Sequence, residues 1–404
     1  MKILMVNKFL YPNGGSETYI FRLGEYFASA GHEVEYFGMQ DERNVVTNTA
    51  GQYTSNLDFH SSSLQKLVYP FKIIYSKESR KKLADVIQSF KPDVIHLNNI
   101  NFQLTPSIIY EAKKWKVPTV MTAHDYQMVC PNHMMYRPVE GKPCQRCVGG
   151  HYSNCIKNKC IHGSTAKSLL GVLEATFYKS RKTYALLDAV ICPSYFLEKR
   201  LLVEPVFKNK TEVLHNFVDT PDLEPEPKQE YVLYFGRYSK EKGIETLLEA
   251  SRRLPQVNFV FAGKGPMGDM IPEQDNVKNV GFIQGKELNQ LVANALFTVY
   301  PSEWYENCPF SVMESQACGT PVLGSGIGGI PELIEDGETG LLFMPGDIKD
   351  LSAKIFRLWQ DRDLLDYMTE NCRQIEFDAV QKYADKLLLI YAKAGAGGNE
   401  DGKA

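Results

Sequence analysis

Two carboxylates, Glu306 and Glu314, have seven residues between them in the segment PSEWYENCPFSVMESQACGTPVL, residues 301–323, with Pro309 among those seven. Proline suits the first turn of a helix, where its missing N–H has no partner to lose. Residues 310–317 then predict a short, largely apolar helix stopped by Gly319. Glu306 falls in the loop before that helix and Glu314 inside it. Carboxylates cannot clasp phosphate, but they accept hydrogen bonds from hydroxyls. The pair therefore suits a sugar-bearing ligand, and a nucleotide-sugar would need its phosphates held by other residues.

Several segments offer phosphate chemistry. Asn13-Gly14-Gly15-Ser16 lies between the first strand and the first helix, where bare backbone N–H groups and a helix N-terminus can approach an anion. The alternative reading is a plain tight turn. In FGRYSKEKG, residues 235–243, Arg237 and Lys242 follow a strand and lead into a helix, so two cations can hold a diphosphate. Lys240 and Glu241 leave open a solvated charged loop. The run Gly263-Lys264-Gly265-Pro266-Met267-Gly268 fits G-x-G-x-x-G after a strand, which raises NAD binding. Pro266 interrupts that motif, and the next strand ends in Gly281-Phe282 without an acidic ribose partner. A loop near a nucleotide base or diphosphate is the better reading.

His124, in the strand end TAHD, is expected to face a ligand cleft. His96 on the preceding strand competes for that role, and a structural histidine is the plain alternative. Cys130, Cys144, Cys147, Cys155 and Cys160 crowd an irregular insert, 130–162, that also holds three histidines. Cys144-x-x-Cys147 has zinc-knuckle spacing, and four of the five thiolates would complete a closed tetrahedral site. Loose thiols, disulfides and a redox or iron–sulfur role are the alternatives. The stretch 66–82 carries six basic residues, one acid and several aromatics. It suits either an anionic lipid surface or an exposed helix with its apolar face packed inward.

The elements that position these residues follow a regular pattern. The chain has 404 residues, enough for two or three domains. Strands are expected at 2–7, 32–38, 93–98, 119–124 and 189–194, with helices between them. After the proline-rich stretch 219–230, a second series follows at 231–237, 257–263, 277–282, 296–302 and 320–325. This alternation predicts α/β architecture, with two tandem doubly wound Rossmann-like domains whose strand ends face a cleft. The expected division is 1–211 and 212–375, a last helix at 376–394 crossing back onto the first domain, and a disordered glycine-rich tail at 395–404. A net charge of −3 argues against nucleic acid as a partner. No apolar run approaches the roughly 20 residues that span a bilayer. MKILMVNKF is expected to be a buried first strand rather than a signal peptide. These features predict a cytoplasmic protein with reduced cysteines.

The quoted motifs resemble the retaining glycosyltransferases of family 4, which have the GT-B fold. The resemblance runs through Gly14-Gly15, His124, HNFVD (215–219), FGRYSKEKG (235–243), FAGKGP (261–266), the long segment 303–334 and DGETGLLF (336–343). It departs at Phe217, where the family usually has glycine, and in the cysteine-bearing insert, which is expected to shape the acceptor side. The resemblance implies transfer of a sugar from a UDP- or GDP-sugar to a glycan or lipid-linked hydroxyl, of hexosyltransferase type, in bacterial cell-surface polysaccharide or glycolipid synthesis. It assigns Arg237 and Lys242, assisted by Gly14 and Gly15, to the departing diphosphate. Glu314 would bond the ribose, and Glu306 the donor sugar, with Asn307, Cys308, Pro309 and Phe310 at its edge. Gly265 would lie near the base or diphosphate, and Gly281, Phe282 and Ile283 would line the base. His124 would position the reacting centre. No cofactor would be needed for catalysis, with zinc only structural, and Asp361-Arg362-Asp363 reads as surface. Peripheral contact with the inner membrane face would run through 66–82. An NAD-dependent oxidoreductase using the Gly263–Gly268 loop and a zinc-containing binding module are the competing functions.

Overall fold

The computed structural model describes residues 1–56, 72–223, 226–272 and 275–397. The chain divides into two compact units. The first takes in Met1–Val139, Cys144–His215 and the C-terminal segment from Val380, and the second takes in Glu140–Pro143 and Asn216–Ala379.

The first unit holds a parallel sheet of β1 (Lys2–Val6), β2 (Glu33–Phe37), β3 (Val94–Leu97), β4 (Thr119–Thr122), β7 (Ala189–Cys192) and β8 (Thr211–Val213), in the order β2-β1-β3-β4-β7-β8. The two-residue strands β5 (Tyr136–Arg137) and β6 (Lys142–Pro143) belong to the insert. β3, β4 and β7 are buried along their whole length, as expected of strands covered on both faces. The division falls at His215/Asn216 rather than 211/212 because β8 is the sixth strand of this sheet.

The second unit holds β9 (Gln229–Arg237), β10 (Phe259–Lys264), β11 (Val277–Gly281), β12 (Ala295–Tyr300), β13 (Val322–Ser325) and β14 (Gly340–Phe343), in the order β11-β10-β9-β12-β13-β14. This is the 3-2-1-4-5-6 order of a doubly wound sheet, and its direction reverses between β9 and β12. In the first unit the reversal falls between β1 and β3. Ligands of such sheets collect beyond the strand ends at the reversal, so four loops matter most.

The last helix, Val380–Gly397, packs within the first unit. Tyr383 hydrogen-bonds Tyr19 at 3.0 Å, and Tyr391 hydrogen-bonds His96 at 2.7 Å. It starts four residues later than the expected 376 and continues through 395–397, which the sequence assigned to the tail. The remainder of that tail, 398–404, lies outside the described residues.

Candidate functional site

In the second unit, the loops after β9 and β12 are joined. Glu303 N–H donates to Glu241 O at 2.9 Å. Gly243 turns between the single 3-10 turn Lys240–Lys242 and the Ile244–Arg253 helix with φ +72. A Cβ there would stand 1.9 Å from Pro301 O, so only glycine permits this approach. The turn presents Lys242 to Glu306. Lys242 Nζ lies 2.5 Å from Glu306 Oε1 and 3.0 Å from the Tyr300 hydroxyl.

Three further donors meet on the same Glu306 oxygen: Trp304 Nε1 at 2.6 Å, Ser302 Oγ at 2.8 Å and Tyr300 OH at 3.1 Å. Glu306 Oε2 takes no hydrogen bond among the described residues. The Lys242 ammonium also lies 5.4 Å from the ring centres of both Tyr300 and Trp304. Burial, and then the Glu306 charge, push the Tyr300 hydroxyl well above its ordinary pKa, so it stays a donor.

The backbone of Glu306 is fixed from behind. Gly329 N–H donates to Glu306 O at 2.7 Å, and a Cβ on Gly328 would stand 2.4 Å from that oxygen. Glu314 lies half-buried on the Phe310–Ala317 helix, which has the bounds the sequence predicted. Pro309 is the N-cap of that helix, one position earlier than a first-turn proline, and no side chain caps its N–H groups. The half-buried Asn307 and the buried Cys308 precede it. Asn216 donates its amide N–H to Cys308 Sγ at 3.2 Å and its side-chain amide to Cys308 O at 2.7 Å. Phe217 is fully buried, and its ring meets Phe310 edge-on at 6.1 Å. The phenylalanine that departs from the family pattern thus packs against the start of the site helix.

Arg237 ends β9 with an exposed side chain that has no ion pair among the described residues. Lys264 Nζ lies 4.1 Å from the centre of the exposed Phe282 ring, and Ile283 packs half-buried against the cluster of Tyr231, Leu233 and Phe235. The glycine loop does not make a dinucleotide turn. β10 continues through Gly263 to Lys264, and the 3-10 turn Gly268–Met270 follows. A Cβ on Gly263 or Gly265 would meet the backbone of Gly236 or Tyr238, at 1.9 and 2.3 Å. These glycines serve strand contact, and among the described residues no α-helix begins between Lys264 and β11, so the NAD reading loses its basis.

In the first unit, the β1 and β3 ends are knitted by amides. Asn99 N–H donates to Asn7 Oδ1 at 3.0 Å, and Asn99 Nδ2 donates to Ser16 Oγ at 2.8 Å. The Gly15–Ser29 helix begins here with Gly14 as its N-cap. Its first turn carries the buried Glu17, which accepts from Asn7 Nδ2 at 2.8 Å and Ser16 Oγ at 2.9 Å. Burial raises the Glu17 pKa against those hydrogen bonds. The sequence reading missed this acid, although its place three residues after Gly14 was visible.

His124 lies two residues beyond β4, half-buried, with Nε2 2.8 Å from Asn98 Oδ1 and its ring edge-on to Tyr19 at 4.9 Å. Desolvation pushes its pKa down to about 3, so the imidazole is neutral. His96 is the structural histidine of the pair. It is wholly buried in β3, with Nε2 2.8 Å from Thr122 Oγ1 and Nδ1 on Tyr391.

The insert brings its cysteines around one small cavity, with Cys144 on its lining. Their thiols pair: Cys130 with Cys147, and Cys155 with Cys160, the two pairs being close enough to interact electrostatically. Among the described residues, no group of three or more His, Cys, Asp or Glu is arranged to hold a metal ion. In the basic stretch, Arg80 is committed to Glu111 at 2.7 Å and Lys82 to Glu78 at 2.9 Å. Residues 66–71 lie outside the described residues. No described helix is long and apolar enough to cross a membrane. Asp361 caps the Arg362–Arg373 helix, accepting from Leu364 N–H at 3.0 Å, which gives the D-x-D segment a structural role.

Two doubly wound parallel α/β units, each with polar side chains gathered at its sheet reversal, define the GT-B class. The chain belongs to glycosyltransferase family 4: the model of that family matches residues 13–221, and the model of glycosyl transferases group 1 matches residues 218–375. Sulfoquinovosyl transferase SQD2 of Arabidopsis thaliana is 25% identical over 359 residues, which is 83% of this chain but 64% of the plant protein's length. An uncharacterized 42.6 kDa protein of the Klebsiella pneumoniae cps region is 24% identical, covering 93% of this chain and 99% of its own. The crystal structure of Anabaena HepE in complex with UDP superimposes with a TM-score of 0.67 at 18% identity, covering 97% of this chain and 100% of that one.

Proposed function

We propose that the protein transfers a sugar from a nucleoside-diphosphate sugar, UDP- or GDP-linked, to a hydroxyl acceptor with retention of configuration. The observation that carries this reading is the division of labour within Glu306. One oxygen is locked by four donors, while the other is left to accept from a ligand hydroxyl. A carboxylate so heavily hydrogen-bonded is a weak nucleophile, which favours attack by the acceptor on the face the leaving group departs from. Lys242 and Arg237, at the ends of the turn after β9, neutralise charge developing on the diphosphate. Glu314 bonds the ribose, and Phe282 and Ile283 line the base. Neutral His124, its Nε2–H held by Asn98 Oδ1, contacts the sugar as an acceptor and positions the reacting centre, and the Gly14–Gly15 turn assists with the diphosphate.

The same reading assigns a hexosyl donor and an acceptor in cell-surface polysaccharide or glycolipid synthesis. The match to a cps-region protein supports this choice. It also assigns four of the insert cysteines to a structural zinc ion, supported by the buried thiol pairs around one cavity. Zinc binding would have to draw the two pairs together. Membrane contact through 66–82 rests on the cations not already paired, chiefly Lys81. Liposomes containing anionic lipid should lose binding when Lys81 and its neighbours Lys72 and Lys77 are replaced, and no binding by the unaltered protein removes that part.

The test of the whole is nucleoside diphosphate release from a panel of UDP-, GDP- and ADP-sugars. Turnover with one of them supports the proposal. Absence of turnover and of thermal protection across the panel overturns it.

A further inference from the structure

A cavity of about 530 Å³ opens in the first unit. The Thr165–Ser180 helix, the 3-10 turns Thr183–Leu186 and Pro205–Phe207, and Gln127 and Met128 enclose it. Rings of Tyr152, Tyr178, Tyr184 and Phe207 form much of its wall. Volumes of this size suit a small organic ligand.

Glu174 lies on the lining, one turn before Tyr178 on the same helix face. It is 7% exposed and makes no hydrogen bond or ion pair among the described residues. An unpaired buried carboxylate is costly. Burial, and then the nearby Asp125, push its pKa up to about 8. Asp125 is itself held by Asn101 at 2.9 Å and by the Gln127 N–H at 2.8 Å, so it offers no relief.

Two lysines line the cavity, and neither forms an ion pair with Glu174. Lys179 is bound to Glu204 and lies 5.8 Å from the centre of the Tyr152 ring. Both Lys179 and Lys182 are exposed, so the cations sit at the rim and the acid sits inside. Aromatic faces together with a buried, unpaired carboxyl group are the chemistry that recognises an organic ammonium group. In the empty cavity the raised pKa keeps Glu174 mostly protonated at neutral pH; a cationic head draws it to the carboxylate, and a neutral sugar does not.

We propose that this cavity binds a small organic ammonium compound, its cationic head paired with Glu174 and flanked by the tyrosine rings. Choline and ethanolamine are the probes, with D-glucose as the neutral comparison, titrated into the full chain by saturation-transfer NMR. Irradiation of the protein's aromatic protons should transfer to the choline methyl groups. Affinity should fall at least tenfold in Glu174→Gln, and also in Tyr184→Leu, each checked for an unchanged circular dichroism spectrum. If Glu174→Gln fails to fold, Tyr184→Leu and the preference of the unaltered protein for choline over glucose carry the test. No ammonium binding by the unaltered protein, equal transfer to glucose, or undiminished affinity in both folded variants overturns the proposal.

Discussion

Lys242 and Glu306, 64 residues apart in sequence, meet at 2.5 Å on a single carboxylate oxygen. The contact ties the turn after β9 to the loop after β12, the two strands flanking the sheet reversal of the second unit. It fixes a cation and an acceptor side by side before any ligand arrives. Preorganisation of this kind lowers the reorganisation needed when charge develops in the transition state.

Lys242→Ala and Arg237→Ala should each reduce turnover by roughly 10²–10³-fold, about 2.7–4 kcal/mol, if both stabilise the leaving diphosphate. Their stabilities should differ. Lys242→Ala removes one of four donors from a buried carboxylate and should cost about 1–3 kcal/mol. Arg237 is exposed, so its loss should change stability by no more than about 0.5 kcal/mol. Diphosphate release and urea denaturation on the same preparations check both statements. Near-normal turnover in both variants would remove their assigned role.

Glu306→Gln keeps the shape but not the charge. The amide oxygen can still accept from Ser302 and Trp304, while Lys242 loses its counter-ion. Donor affinity should weaken by about 1.5–3 kcal/mol, the range for hydrogen bonds to a charged group. Calorimetric titration with the active nucleotide-sugar measures this, and an unchanged affinity would place the sugar elsewhere.

His96 and His124 impose an acid limit on the first unit. Desolvation lowers each pKa from 6.5 to about 3. The unfolded chain therefore takes up these protons first. Stability from the two rings is fully present above about pH 6.5 and is lost as pH falls toward 3. The loss should reach a few kcal/mol, read by urea denaturation at pH 7, 5 and 4. In His124→Gln the decline over that window should be shallower by the contribution of one histidine, and an equal slope would contradict the assignment.

Zinc in the insert makes a separate prediction. Purified protein should carry about one zinc ion per chain, and a strong chelator should lower its melting temperature. The double variant Cys144→Ser/Cys147→Ser, which leaves three of the five thiolates, should abolish the metal. Metal-free protein that melts identically with and without chelator would leave the thiols as two reduced pairs.

Much of this was legible in the sequence because period and punctuation are local. The Phe310–Ala317 helix follows from an apolar run between Pro309 and Gly319, and β1, β3 and β9 from short apolar runs before polar loops. β8 was missed because its three residues are only partly buried, and β14 because a glycine opens its four. The Gly263–Gly268 motif left NAD binding open as a disfavoured reading because spacing cannot distinguish a glycine that admits a phosphate from one that admits a neighbouring strand.

The sequence by itself determined the α/β alternation, the glycines at the turns, the neighbouring places of Glu306 and Glu314, and the family motifs, since each is a property of adjacent residues. Tertiary structure alone decided which groups meet across long separations. It put Lys242 on Glu306, separated His96 from His124 by giving the former a partner 295 residues away, sorted the cysteines into pairs, and left Glu174 without a partner among the described residues. Those outcomes depend on strand order and helix packing, which bring together side chains that no local pattern relates.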